Sequence, residues 1–282
     1  MIRIFSNKKI FFTIALFATI TCNVFAFEVE LSPENPKGGE AFWVTIEGKN
    51  SLSYKVYFGR NKYGAYKINE HKKAVLIPLN IGTEGTKKLT VKEKFLFFTL
   101  NKKSLDIDIN KRKIEVFRLS KKSEAIRDKQ ASIPKQKKRI NKKKAVRTKK
   151  RLWEKGFELP LKGEITTKFS ILRKGKKYSY YHMGIDIAAK EGTLVKATNT
   201  GRVVFAKKGL NIYGNALIID HGQGITSVYF HLRKILKQKG DVVYKGQVVA
   251  ESGNTGWSTG PHLHFGIYAQ GQAIDPIWLI KN

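Results

Sequence analysis

The chain has 282 residues, with 54 Lys and Arg against 22 Asp and Glu, a formal net charge of +32 and a single cysteine. That length exceeds one compact domain, and 41% hydrophobic residues exclude a wholly disordered chain. One cysteine excludes a disulfide framework, and so large a positive excess, beyond what solubility requires, points to an anionic partner.

In chain order, Met1 to Ala26 carries Arg3, Lys8 and Lys9, then an apolar run from Ile10 to Phe25, then Ala26 with Val24 two positions before it. This is the layout of a secretory signal cleaved after Ala26, and the run falls short of the roughly 20 residues a spanning helix needs. Thr19, Ile20 and Thr21 before Cys22 do not form a lipoprotein processing box. The expectation is an exported protein, in the periplasm or cell envelope, whose mature chain has no thiol and no transmembrane helix.

Residues 27–119 read as short strands: FEVEL, AFWVTIEG, SYKVYFG, KAVLIPL, KKLTVKE, FLFFTL, LDIDI and KIEVFRL, separated by Gly, Asn, Pro and Lys-rich turns. The spacing suits an immunoglobulin-like β-sandwich. Asp106 and Asp108 alternate with Leu105, Ile107 and Ile109, as the solvated face of a half-buried strand does, and nothing there looks catalytic.

From Ser120 to Arg151 there are 15 lysines and arginines against two acids. Residues 120–155 are therefore expected to be a basic linker, extended or partly helical when bound, because it lacks the apolar surface to fold alone. A nucleic-acid protein also carries such a charge excess. Export and the absence of aromatics within the basic run argue against nucleic acid, and leave an anionic envelope polymer or lipid surface as its partner.

The chemistry is near the C-terminus. On strands, His182, Gly184 and Asp186 of YYHMGIDIAA would share one face, with Met183, Ile185 and Ile187 on the other. In STGPHLHFGIY the same alternation sets His262, His264 and Gly266 against Leu263, Phe265 and Ile267. In SVYFHLRK it sets Tyr229 and His231 against Val228, Phe230 and Leu232. Helix is disfavoured by Gly184, the β-branched neighbours and Pro261. Imidazole and carboxylate donors suit zinc, and a catalytic zinc keeps three protein ligands with one position open. Five groups exceed that need, so the surplus histidines are expected to do acid–base work or to orient ligands. HExxH is absent, which excludes a thermolysin-like arrangement. GNTGWSTG lacks the lysine and helix of a phosphate cradle and reads as a turn delivering His262 to a cleft, with Trp257 and Ser258 as candidates for a wall. His71 in NEHKKA carries no functional signal, and His221 in IIDHGQG sits at an expected turn.

The stretches HMGIDIAAKEGTLVKATNTGRVVFA, YGNALIIDHGQGITSVYFHL, KGDVVYKGQVVAESGNTGWSTGPHLHFGIY and AIDPIWL together resemble the catalytic domain of the lysostaphin-type, or LytM-type, zinc endopeptidases that cut peptidoglycan peptides. The resemblance covers about residues 158–280. It implies an antiparallel β-sheet catalytic domain over residues 156–282, one zinc held by His182, Asp186 and His264, and catalytic roles for His231 and His262 without dividing those roles. Phe230, where many relatives carry a small residue, and Gly266, where many carry glutamate, bear on groove shape. The resemblance also leaves a second reading, a non-catalytic wall-binding protein or activator of other wall hydrolases, although all five site positions are filled.

Overall fold

A computed structural model describes residues 27–282 apart from 50, 121–123, 125–133, 155 and 177–178. The expected leader, residues 1–26, lies outside the described residues.

The N-terminal half is two antiparallel sheets. One runs β1 (Glu28–Ser32), β2 (Ala41–Glu47), β6 (Lys72–Pro78), β5 (Tyr66–Lys67); the other runs β4 (Asn61–Gly64), β3 (Ser53–Phe58), β7 (Gly85–Phe95), β8 (Phe98–Ile109). Period-two patterning makes them a sandwich: Phe42, Val44 and Ile46 of β2 are fully buried and meet Val56, Leu89, Val91 and Ile107 from the facing sheet. Each such side chain contributes roughly 1.5–3 kcal/mol by leaving water. FLFFTL is not a strand of its own. Phe95 ends β7, Phe98 starts β8, and Leu96 and Phe97 are the turn between them.

KIEVFRL also departs from expectation, because β9 (Val116–Arg118) leaves the sandwich and pairs in parallel with β11 (Leu172–Lys174), itself paired to β12 (Ser179–Tyr181). The C-terminal half is built on an antiparallel sheet of β10 (Ile165–Thr167), β13 (Ile185–Ala188), β21 (His262–Ala269), β17 (Ile225–Leu232), β16 (Gly214–Gly222), β15 (Gly201–Leu210) and β19 (Val242–Val243), with β22 (Gln272–Ile274) beside β21. A small sheet of β14 (Leu194–Lys196), β20 (Val248–Glu251) and β18 (Lys234–Ile235) flanks it. β16 and β17 are buried along nearly their whole length, as central strands covered on both faces are.

The basic segment is folded rather than extended where it is described. Helix α1 (Pro134–Lys144) lies on β15, β16 and β17, with Gln136, Ile140 and Lys144 on one face at i, i+4 and i+8. Ile140 is fully buried, and Gln136 Nε2 donates to Asn211 Oδ1 at 3.2 Å. Lys144 donates to the Tyr268 hydroxyl at 2.8 Å, and its ammonium lies over the Tyr268, Phe230 and Tyr213 rings at 4.4, 5.5 and 5.7 Å. Burial pushes its pKa down to about 8. Downstream, the Leu152 and Trp153 amides donate to His221 O, and the Trp153 ring stands 5.6 Å from that of Trp43 in the sandwich.

The two halves are clamped by Arg112, which donates two hydrogen bonds of 3.1 Å to Asp275 and pairs with Glu40. Asp275 also caps α2 (Pro276–Lys281) by accepting from the Ile277 amide at 3.0 Å. No helix among the described residues is long and apolar enough to cross a membrane.

Candidate metal centre

β21 is the spine of the site. It pairs with β13 so that Asp186 lies opposite His264, and with β17 so that Phe230 lies opposite His264 on the other side. Leu263, Phe265 and Ile267 are fully buried while His262 and His264 face the groove, as the alternation requires.

His182 is not on the same strand as Asp186, a correction to the single-strand reading. β12 ends at Tyr181 and β13 begins at Ile185, and a bend at Gly184 swings His182 back to Asp186. The bend needs glycine: a Cβ there would sit 2.4 Å from Phe265 O and 2.8 Å from the His264 ring.

His182 Nε2, Asp186 Oδ1 and His264 Nδ1 converge. His182 Nε2 is 2.9 Å from Asp186 Oδ1 and 3.0 Å from His264 Nδ1, which is 2.8 Å from Asp186 Oδ1. His182 Nδ1 lies 3.0 Å from Lys168 O, and a carbonyl only accepts, so Nδ1 carries the proton and Nε2 presents its lone pair. Ligands of a tetrahedral zinc stand about 3.3 Å apart at bonds of about 2.0–2.1 Å. Two imidazole nitrogens and one carboxylate oxygen therefore fit one small divalent cation by donor type and spacing.

The protonation states agree. Burial pushes the Asp186 carboxyl up, but hydrogen bonds and charge from His182 and His264 outweigh it and hold it well below the usual carboxylate range. Burial pushes His264 down to about 4 against the opposing pull of Asp186. Neutral imidazole and ionised carboxylate are the forms that bind a metal.

Arg173 on β11 donates to Asp186 Oδ2 at 2.8 Å, turning Oδ1 alone toward the cluster. Nothing in the sequence LRKGKK marks this residue, which comes from outside the motifs. Arg173→Met keeps the stem and removes the fork. Partners that orient ligands typically contribute ten- to hundredfold to metal affinity, so the variant is expected to bind zinc that much more weakly in competition with a chromophoric chelator.

His231 reaches the site by a route that alternation misjudges. Tyr229 points into the core beside Phe265, and Phe230 takes the groove face, stacked on His264 at 5.5 Å and 4°. Between Asn215↔Leu232 and Leu217↔Tyr229 β17 holds one residue more than β16, and His231 has φ 60°. This bulge returns His231 to the side already occupied by Phe230. Its Nδ1 donates to Thr255 O at 2.8 Å, and His262 Nδ1 donates to Gly260 O at 2.8 Å. Both imidazoles thus offer Nε2 toward the groove, with ring centroids 4.8 Å apart and His262 Nε2 3.8 Å from Asp186 Oδ1. Burial, then the neighbouring His262 and His264, push His231 down to about 3.

These groups floor a groove of about 1210 Å³. Its walls include Tyr180 and Trp257, in ring contact at 5.8 Å, with Phe117 from β9 and Lys137 and Asn141 from α1. The segment between the halves therefore shapes the site.

His71 lies in an exposed turn away from the site, its amide donating to Asn69 Oδ1. His221 is fully buried inside β16, with Nδ1 on Thr200 O at 2.9 Å and Nε2 on the Ser227 hydroxyl at 2.8 Å. Its role is structural. Burial lowers its pKa from 6.5 to about 4, opposed by the Thr200 hydrogen bond. A base depressed on folding contributes stability that is complete above pH 6.5 and lost as pH falls toward 4, here about 3 kcal/mol. Urea unfolding at pH 7 and pH 4 is expected to show a loss of stability in the native chain that is smaller by about this amount in His221→Asn.

Residues 180–276 match the model of Peptidase family M23. DD-carboxypeptidase/endopeptidase Mpg of Neisseria meningitidis is 42% identical over 97 residues, 34% of this chain and 22% of that protein. Murein hydrolase activator NlpD of Salmonella dublin is 36% identical over 118 residues, 42% of this chain and 29% of that protein. The matched segment thus spans less than a third of either relative. A solved Pseudomonas aeruginosa chain described as an M23 peptidase shares the fold at TM-score 0.65 and 19% identity, over 87% of this chain and 94% of its own. The segment similar to Peptidase family M23, residues 180–276, is the one that holds the metal-type cluster.

Proposed function

We propose that the protein is an exported zinc-dependent endopeptidase that hydrolyses peptide cross-links or stem peptides of bacterial peptidoglycan. The observation that carries this reading is the convergence of His182 Nε2, Asp186 Oδ1 and His264 Nδ1 beside two imidazoles pinned at Nδ1, in an open groove. Zinc held by those three atoms would supply a Lewis acid that polarises a scissile carbonyl and makes water a better nucleophile. His262 Nε2, next to the cluster, is placed to take the proton of the attacking water. His231 Nε2 stands across from it, where it gains a proton only while negative charge develops nearby, because burial holds its pKa low. Tyr180 and Trp257 offer flat walls to an extended peptide.

The name of the Neisseria relative supports peptidoglycan peptides as substrate, and that of the Salmonella relative supports the rival reading as an activator without hydrolysis. The filled set of five groups favours hydrolysis. In the sandwich the strand order 1-2-6-5 against 4-3-7-8 supports an immunoglobulin-like module. With Lys137, Lys138, Arg139 and Lys142 exposed on α1, it would position the enzyme on an anionic envelope polymer.

Isolated sacculi incubated with the purified chain decide between the readings. Soluble muropeptides that disappear with a chelator and return with zinc are the expected result; binding without release would establish the activator instead.

A further inference from the structure

The β7–β8 hairpin carries an exposed apolar tip that neither the core nor the groove uses. Leu96, Phe97 and Phe98 are 72%, 90% and 69% exposed, with Phe95 and Leu100 at about half. β3 pairs with β7 only as far as Lys94, so these residues project past the edge of the sheet. The two-residue turn places Leu96 at φ 50°, a conformation that Asn or Gly adopts at far lower cost. Folding alone favours a polar turn residue there, and leucine is what the chain carries.

The hairpin is braced below its tip. Glu93 is buried and accepts from the Tyr54 hydroxyl at 2.9 Å and from Asn101 Nδ2 at 2.6 Å. That acid is therefore consumed internally. From residue 94 to 105 the sequence has Lys94, Lys102 and Lys103 and no acid, while Lys62 and Lys92 lie over the Tyr57 ring at 5.8 and 5.0 Å.

We infer that this hairpin docks on an anionic lipid bilayer, inserting its aromatic and leucine tip at the headgroup–acyl boundary while the lysines behind it meet lipid phosphates. Amphipathic anchors pair apolar burial with basic residues in this way. An anionic polymer would satisfy the lysines and leave the apolar tip in water. A second copy would bring the two lysine collars together, where like charges repel. The site is separate from the metal centre, so its test stands whether or not the chain hydrolyses peptidoglycan.

The chain from Phe27 onward, which has no cysteine of its own, is given Thr99→Cys, labelled at that thiol with an environment-sensitive fluorophore and mixed with phosphatidylglycerol–phosphatidylethanolamine vesicles. A blue shift quenched by shallow nitroxide lipids is expected, with no change for the same label at Glu84→Cys, at the other end of β7. In the unlabelled chain, Leu96→Ser with Phe97→Ser is expected to lower the vesicle-bound fraction at least about tenfold, and phosphatidylcholine vesicles are expected to retain less protein than anionic ones. Vesicle binding without a spectral change at position 99 would assign binding to another segment and overturn the inference. So would no response to vesicles, or a concentration-dependent shift without lipid, which would make a second copy the occupant.

Discussion

Asp186→Asn and His264→Ala are each expected to abolish zinc retention and muropeptide release together. Asp186 Oδ1 and His264 Nδ1 stand 2.8 Å apart at the centre of the cluster, so removing either leaves two donors where three converge. Lewis-acid polarisation amounts to several kcal/mol of transition-state stabilisation, about a thousandfold or more in rate. Asparagine is the better replacement at 186, because it keeps an oxygen for Arg173 and avoids leaving that guanidinium, whose side chain is 21% exposed, unpaired. The measurements are zinc content after dialysis, release from sacculi and thermal unfolding. Full release by a folded variant without zinc would exclude this cluster as the seat of the chemistry.

What the sequence makes legible follows the physics of strands. HLHF alternates cleanly because β21 pairs on both sides without a bulge and its first four residues are part-exposed and buried in turn, so His262 and His264 could be placed together from period alone. That rule fails at a bend or a bulge. His182 reaches Asp186 through the Gly184 turn, and His231 changes side at a residue with positive φ, while Phe230 takes the face expected of His231. The FLFFTL run read as a strand since its turn contains none of the Gly, Asn or Pro that usually mark one. Helix α1 was hidden for a different reason. It is held by one apolar residue, Ile140, and by Lys144 sheltered among three aromatic rings, and no hydropathy pattern reports a lysine in that role. Arg173 was likewise silent, one cation among many, meaningful only through its distance to Asp186.

His262→Ala and His231→Ala are expected to keep zinc yet lower turnover by about 10²–10⁴, the usual contribution of a positioned proton-transfer group. Neither imidazole belongs to the three-atom cluster, and each is fixed from outside the groove by a carbonyl on Nδ1: Gly260 for His262, Thr255 for His231. Their rings lie 4.8 Å apart, close enough to act on one reacting centre. Groups that act as a unit lose activity non-additively, so the double variant is expected to fall well short of the product of the two single losses. His262 Nε2 is the nearer to the metal-type donors, at 3.8 Å from Asp186 Oδ1. Burial, with His262 and His264 beside it, holds His231 down to about 3, so it is a weak base at rest. The larger loss in kcat is therefore expected at His262. Zinc content separates this outcome from ligand loss: a variant that binds a full equivalent and still releases muropeptides at the native rate removes its histidine from the chemistry, whereas one that loses zinc makes that histidine a ligand and redraws the centre.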